Sequence, residues 1–179
     1  MLALENTVLV IVDIQGKLWN IMHEKELLLE NARKLVSGAK ILGLPIILTE
    51  QNPKGLGPTL PELTQLIPEV PPVPKFSFSC CQNEGFHRSI NDLNRRQVLI
   101  CGIESHICVY QTTLELMNSG YEVQVVADVV SSRVVRNRDI ALSRMQSEGA
   151  KLTVVEMVLY ELLRTAESPQ FKEMLKVVK

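Results

Sequence analysis

The stretch Gln97–Asn118, QVLICGIESHICVYQTTLELMN, decides the fold. Its first six residues, Gln97 to Gly102, form an apolar, β-branched run that ends at a glycine, the pattern of a buried strand in a parallel sheet. From Ile107 the period changes. Ile107, Tyr110, Leu114 and Met117 fall at i, i+3, i+7 and i+10, one stripe of an amphipathic helix. The switch is compressed into Ile103 to His106, which predicts Cys108 at a helix start just beyond the carboxyl end of a central strand. Open α/β sheets place ligands at that edge, and the unpaired N–H groups and dipole of a helix start are expected to lower a thiol pKa.

Working outward, Thr7 to Val12 (TVLVIV) reads as a doubly buried strand that delivers the Asp13 carboxylate at its end. Leu28, Ala32, Leu35, Ala39 and Leu42 mark one face of a helix from about Glu24 to Leu42, stopped by Gly43. Ile46 to Thr49 is the next strand. The segment Glu50 to Pro74 carries seven prolines and two glycines, too broken for regular structure, and a loop that long in a compact domain is usually functional. Lys75 to Ser79 (KFSFS) alternates like a short strand or an extended entry to a helix over Glu84 to Leu93. Tyr121 to Ala127 is another strand, ending at Asp128, which is expected to cap the following segment through Ser131 and Ser132. Ser131, Ser132 or Asn137 could cap a helix to Glu148, and Lys151 to Val155 is the last strand. Helices over Met157 to Arg164 and Pro169 to Val178 complete the chain.

Strand and helix in alternation predict a single α/β domain over residues 1–179: a three-layer α/β/α doubly wound sandwich around a mainly parallel sheet of five to six strands. The first strand is followed by no G-x-G-x-x-G, and the chain has no G-x-x-x-x-G-K-[ST], so dinucleotide and P-loop chemistry have no support.

Composition narrows the partners. With 22% charged residues and a net charge of −1, the chain lacks the cationic bias of nucleic-acid or membrane-surface binders. It has neither a leader-like start nor an apolar run of about 18 residues, so cytoplasmic residence is expected. Cys80, Cys81, Cys101 and Cys108 form no C-x-x-C pair and are expected to be free thiols.

Three residues are predicted at the ligand edge: Asp13, Lys75 and Cys108. A thiol nucleophile needs a base and positive surroundings, which Asp13 and Lys75 would supply. Each also has a plainer reading, as a helix-capping acid, a solvated lysine and a buried cysteine. Trp19, Phe76 and Phe78 flank Asp13 and Lys75 and are candidates to line a pocket, though core packing explains them as well. His23, His87 and His106 read as surface residues or as groups pointing away from the thiol.

VDIQ at Val12–Gln15, PKFSFS at Pro74–Ser79 and above all GIESHICV at Gly102–Val109 resemble the isochorismatase-like cysteine hydrolases, a family that includes nicotinamidases. The resemblance spans essentially the whole chain. It implies an Asp, Lys and Cys triad at Asp13, Lys75 and Cys108, a cis peptide at Ile103–Glu104, and an oxyanion hole from the Glu104 and Cys108 N–H groups. One departure matters. Nicotinamidases of the family carry an Asp-x-His motif in the loop after the second strand, where this chain reads TEQNPKGLG, and no histidine lies between His23 and His87. That implies no metal, no cofactor and a metal-free branch of the family, and it removes the reason to name nicotinamide. The cysteine also speaks against isochorismate, which family members process without a cysteine nucleophile.

The expected activity is therefore hydrolysis of a small amide or related carbonyl compound through a thioester. The rivals are a non-catalytic oligomeric binding or scaffold protein, and a redox role for Cys80 and Cys81. Homo-oligomers are common among such relatives, and the apolar residues of the two C-terminal helices are expected to exceed what one sheet face covers.

Overall fold

The computed structural model describes residues 1–179. In chain order, β1 (Thr7–Val12) leads through α1 (Gly16–Trp19) to α2 (Lys25–Ile41) and β2 (Ile46–Gln51). The proline-rich segment, expected to be irregular, holds two single-turn helices, α3 (Pro53–Leu56) and α4 (Pro61–Thr64), each with proline at its first position, where the missing N–H costs nothing. Next come β3 (Val73–Lys75), α5 (Glu84–Asp92), β4 (Gln97–Ile103), a π-helical turn at Ser105–Val109, α6 (Tyr110–Asn118) and β5 (Glu122–Ser131). The chain ends with α7 (Val135–Ser147), β6 (Lys151–Thr153), α8 (Val155–Leu163) and α9 (Phe171–Val178).

The six strands form one parallel sheet in the order β3-β2-β1-β4-β5-β6. The order reverses between β1 and β4, so the crevice outside their carboxyl ends is the topological switch point. Every residue of β1 and β4 is buried, and period-2 alternation sends them to two layers. Leu9, Ile11, Leu99 and Cys101 pack with α2 and α8; Val8, Val10, Val98 and Ile100 pack with α5, α6 and α7. Cys108 belongs to the second layer.

Gly102 is required where β4 meets β1. Its φ is +119°, and a Cβ there would lie 2.0 Å from the Val12 carbonyl oxygen. The same residue follows a register shift between β4 and β5, so the strand leaves the sheet bent just before the Cys108 turn.

Three expectations are corrected. The short strand is Val73–Lys75 rather than KFSFS, because Thr49–Gln51 of β2 pairs with those residues and the phenylalanines lie beyond the edge. β5 continues past Ala127 to Ser131, and Asp128 caps α8 instead of its own neighbours, accepting the Val155 N–H at 3.0 Å. The C-terminal helices leave no large apolar face open: Val158, Leu159, Leu162, Leu163 and Met174 are core residues against α2, and Met157 is the exposed exception. No helix is long and apolar enough to cross a membrane.

Candidate active site

Asp13 follows β1 with φ at 53°, a left-handed conformation that a short polar side chain tolerates. Lys75 ends β3, and Cys108 lies in the π-helical turn after β4. The sheet brings together these residues from three distant parts of the sequence. Lys75 Nζ lies 2.7 Å from Asp13 Oδ2, and both side chains are completely shielded from solvent. Cys108 is 6% exposed.

The ammonium is saturated. Besides Asp13, Lys75 Nζ donates toward Gln51 Oε1 at 2.7 Å and the carbonyls of Ser77 and Phe78 at 3.2 Å, four acceptors for three N–H groups. Burial works against its charge, but the carboxylate of Asp13, with smaller contributions from Cys80 and Cys108, outweighs that and raises the Lys75 pKa. Lys75 is thus a fixed cation.

The other carboxylate oxygen is also held. Thr49 Oγ1 donates to Asp13 Oδ1 at 2.7 Å and lies 3.8 Å from Cys80 Sγ. Gln15 anchors the end of β2, where Gln51 lies: its amide donates to the carbonyls of Gln51 and Gly57 at 3.0 and 2.6 Å and accepts the Gln51 N–H at 2.8 Å. Sequence reasoning missed Thr49, Gln51 and Cys80. Period 2 along β2 marks Thr49 only as a strand residue, and the partner that makes it functional is 36 residues away.

The thiol electrostatics differ from expectation. Burial first, then the Asp13 carboxylate, push Cys108 up to about 12, against the pull of Lys75. The helix start does not win because desolvation of a thiolate at this depth exceeds what a helix end supplies. Cys80 rises to about 11 and Cys81 to about 12, also mainly by burial, and the fully buried Cys101 rises further. All four cysteines are free.

Around the turn, the Ile103–Glu104 peptide bond is cis. The Glu104 carbonyl accepts the Ile107 and Val109 N–H groups, while the Glu104 N–H donates to no protein group. The Glu104 carboxylate is buried and accepts from Arg133 N and Nε at 3.0 and 3.1 Å. His106 points to Ser132, with Nδ1 2.9 Å from Oγ.

The aromatic candidates separate. Trp19 packs against the core layer that does not contain Cys108, and its indole N–H donates to the Lys25 carbonyl at 2.9 Å. Phe76 and Phe78 are 75% and 55% exposed, on the segment whose carbonyls hold Lys75. No group of three or more His, Cys, Asp or Glu side chains is placed to hold a metal ion.

Comparisons with known proteins agree with this architecture. The isochorismatase domain family matches residues 7–157. Isochorismatase domain-containing protein 2 of Xenopus laevis is 46% identical over 149 residues, covering 82% of this chain and 71% of the relative. The solved structure of MAR1 ribonuclease from Caenorhabditis elegans superposes with a TM-score of 0.94 at 35% identity, covering 99% of this chain and 91% of that one. The YcaC gene product of Escherichia coli, described as an octameric hydrolase of unknown specificity, gives 0.90 at 25% identity, with 99% and 95% covered. With the family match over most of the chain and the hydrolase fold reproduced, this protein belongs to the isochorismatase family.

Proposed function

We propose that the protein hydrolyses a small amide or related carbonyl compound through a thioester on Cys108, without metal or cofactor. The observation that carries this reading is the buried Lys75–Asp13 pair set beside the Cys108 thiol at the switch point of the sheet. A thiol held near 12 is protonated at neutral pH, so its proton must leave as the sulfur attacks. Asp13 takes that proton while the sulfur bonds to the carbonyl carbon. The oxyanion forms against the Glu104 and Cys108 N–H groups, of which the first has no protein acceptor to give up. Collapse expels the amine, which leaves with the proton from Asp13. Water then adds to the thioester, giving its proton to Asp13, and the acid departs as the thiol is restored. Lys75, 2.7 Å from Asp13 Oδ2, steadies the negative charge as it moves between Asp13, the sulfur and the oxyanion.

The name of the C. elegans relative raises RNA as a substrate. A net charge of −1 gives this chain little field to hold a polyanion, which favours a small molecule. A homo-oligomer fits the octameric state described for the E. coli neighbour. The test is intact-mass detection of acyl adducts while a library of small amides is screened for release of amine. An adduct mapped to Cys108, absent in C108A, supports the reading. If no amide acylates the protein and Cys108 alkylates no faster than Cys81, the scaffold alternative stands instead.

A further inference from the structure

β5 takes a detour beside β4. Ile100 pairs with Val125 and Gly102 with Val130, a step of two residues on β4 against five on β5. On the outer side, β6 pairs only with Gln124–Val126, so no strand lies beyond Ala127–Ser131. Bulges of this kind re-aim side chains. Here Ala127 and Asp128, both half-buried, form part of the wall of a cleft of about 330 Å³ that Asp13, Lys75 and Cys108 do not line. Leu28, Val130, Leu142 and Val154 make its walls aliphatic, and its size falls within the range of small-molecule sites, about 300–1,000 Å³. The charge in it is one-sided. Asp128 takes part in no ion pair: its two oxygens share one N–H, that of Val155, at 3.0 and 3.2 Å, although a carboxylate can accept about four hydrogen bonds. Burial pushes the Asp128 carboxyl up, against hydrogen bonds from the Val155 and Asp128 N–H groups, and no cation counters it. The guanidinium in the lining, Arg138, is already engaged, 3.6 Å from Glu24 Oε2 and 3.1 Å from Asp139 Oδ1.

We propose that this cleft is a second binding site, for a small aliphatic ammonium ion whose N–H groups rest on the Asp128 carboxylate and whose alkyl body packs against Leu28, Val130, Leu142 and Val154. The ammonium supplies both the donors and the positive charge that Asp128 lacks. The aliphatic walls favour an organic cation over an inorganic one, since no group of three His, Cys, Asp or Glu side chains is placed to ligate a metal and the walls offer nothing to its remaining waters. The site stands apart from the cysteine chemistry and does not depend on it.

Calorimetry on the full-length protein tests the assignment with three probes of one shape: cyclohexylammonium, the neutral cyclohexanol and the anionic cyclohexanecarboxylate. The ammonium should bind about tenfold more tightly than either of the others. D128N, whose amide oxygen still accepts the Val155 N–H, should lose that preference, with ammonium affinity falling about tenfold. L27W adds bulk at a rim position that is 50% exposed, and should weaken all three probes by obstructing the cleft. E26Q removes an exposed charge one residue from that rim and should bind as the wild type does. Equal losses in D128N and E26Q would mean a diffuse field and overturn the assignment. So would equal affinity of the wild type for the ammonium and the alcohol, no binding of the ammonium at all, or an undiminished affinity in L27W. If D128N does not fold, the comparison of probes on the wild type and the L27W result decide.

Discussion

Lys75 Nζ lies 2.7 Å from Asp13 Oδ2 in a place that water does not reach, which makes the pair at the centre of the proposed chemistry also a liability of the fold. Two buried charges are tolerable together and costly apart. K75M leaves Asp13 buried without its cation and is expected to lose about 3–5 kcal/mol. The double variant D13N/K75M should be more stable than K75M alone, because the uncompensated charge is gone. Urea unfolding of the three proteins checks this; a double variant less stable than K75M contradicts it.

Thr49 tests whether positioning matters separately from charge. T49V keeps the shape of the side chain but removes the hydroxyl that donates to Asp13 Oδ1. The oxygen left without its donor should cost roughly 1–3 kcal/mol of stability. If Thr49 orients the base, the pH dependence of Cys108 alkylation should also shift in T49V, whereas T49S should restore the wild-type profile. A T49V profile that superposes on wild type would falsify the orienting role.

The thiols give the fold an alkaline limit. Cys108 is raised from its ordinary value of 9.0 to about 12, so the folded state keeps a proton that the unfolded chain releases. A raised pKa means its contribution is full below pH 9 and is lost as pH climbs from about 9 toward 12. Cys80 and Cys81 act with the same sign, and Lys75, also raised, adds to the fall above 10.5. Each such thiol should cost up to about 1.4 kcal/mol per pH unit. Urea midpoints at pH 8, 9 and 10 should fall over the last interval, and less steeply in C108A. A flat profile would mean that these thiols ionise as freely in the folded protein as outside it.

Assembly should involve the exposed aromatics beside the triad. With the C-terminal helices packed internally, Phe76 and Phe78 are the large apolar side chains left open near the site, joined by Ile21, Leu27, Val134 and Ile140 elsewhere on the surface. Light scattering at micromolar concentration is expected to give a homo-oligomer, and F76S/F78S to weaken it. A wild-type monomer excludes the assembly; an undisturbed oligomer in the variant places the interface elsewhere.

By itself the sequence determined the layers. Val8–Val12 and Val98–Ile103 run without a polar residue, and only strands covered on both faces bury such runs, so a parallel sheet with helices on each side follows from residues 8–12 and 98–103. The change of period after Ile103 likewise marked Cys108 as the residue at the strand-to-helix turn. What only the tertiary structure decided is which groups meet there and in what charge state. Thr49 and Gln51 carry no local signal, since each meets its partner 36 or 24 residues away on a neighbouring strand or the residue that follows it. The thiol was misjudged for the same kind of reason: a helix start is legible in sequence, but the desolvation that raises Cys108 depends on how completely the surrounding strands and helices close over it.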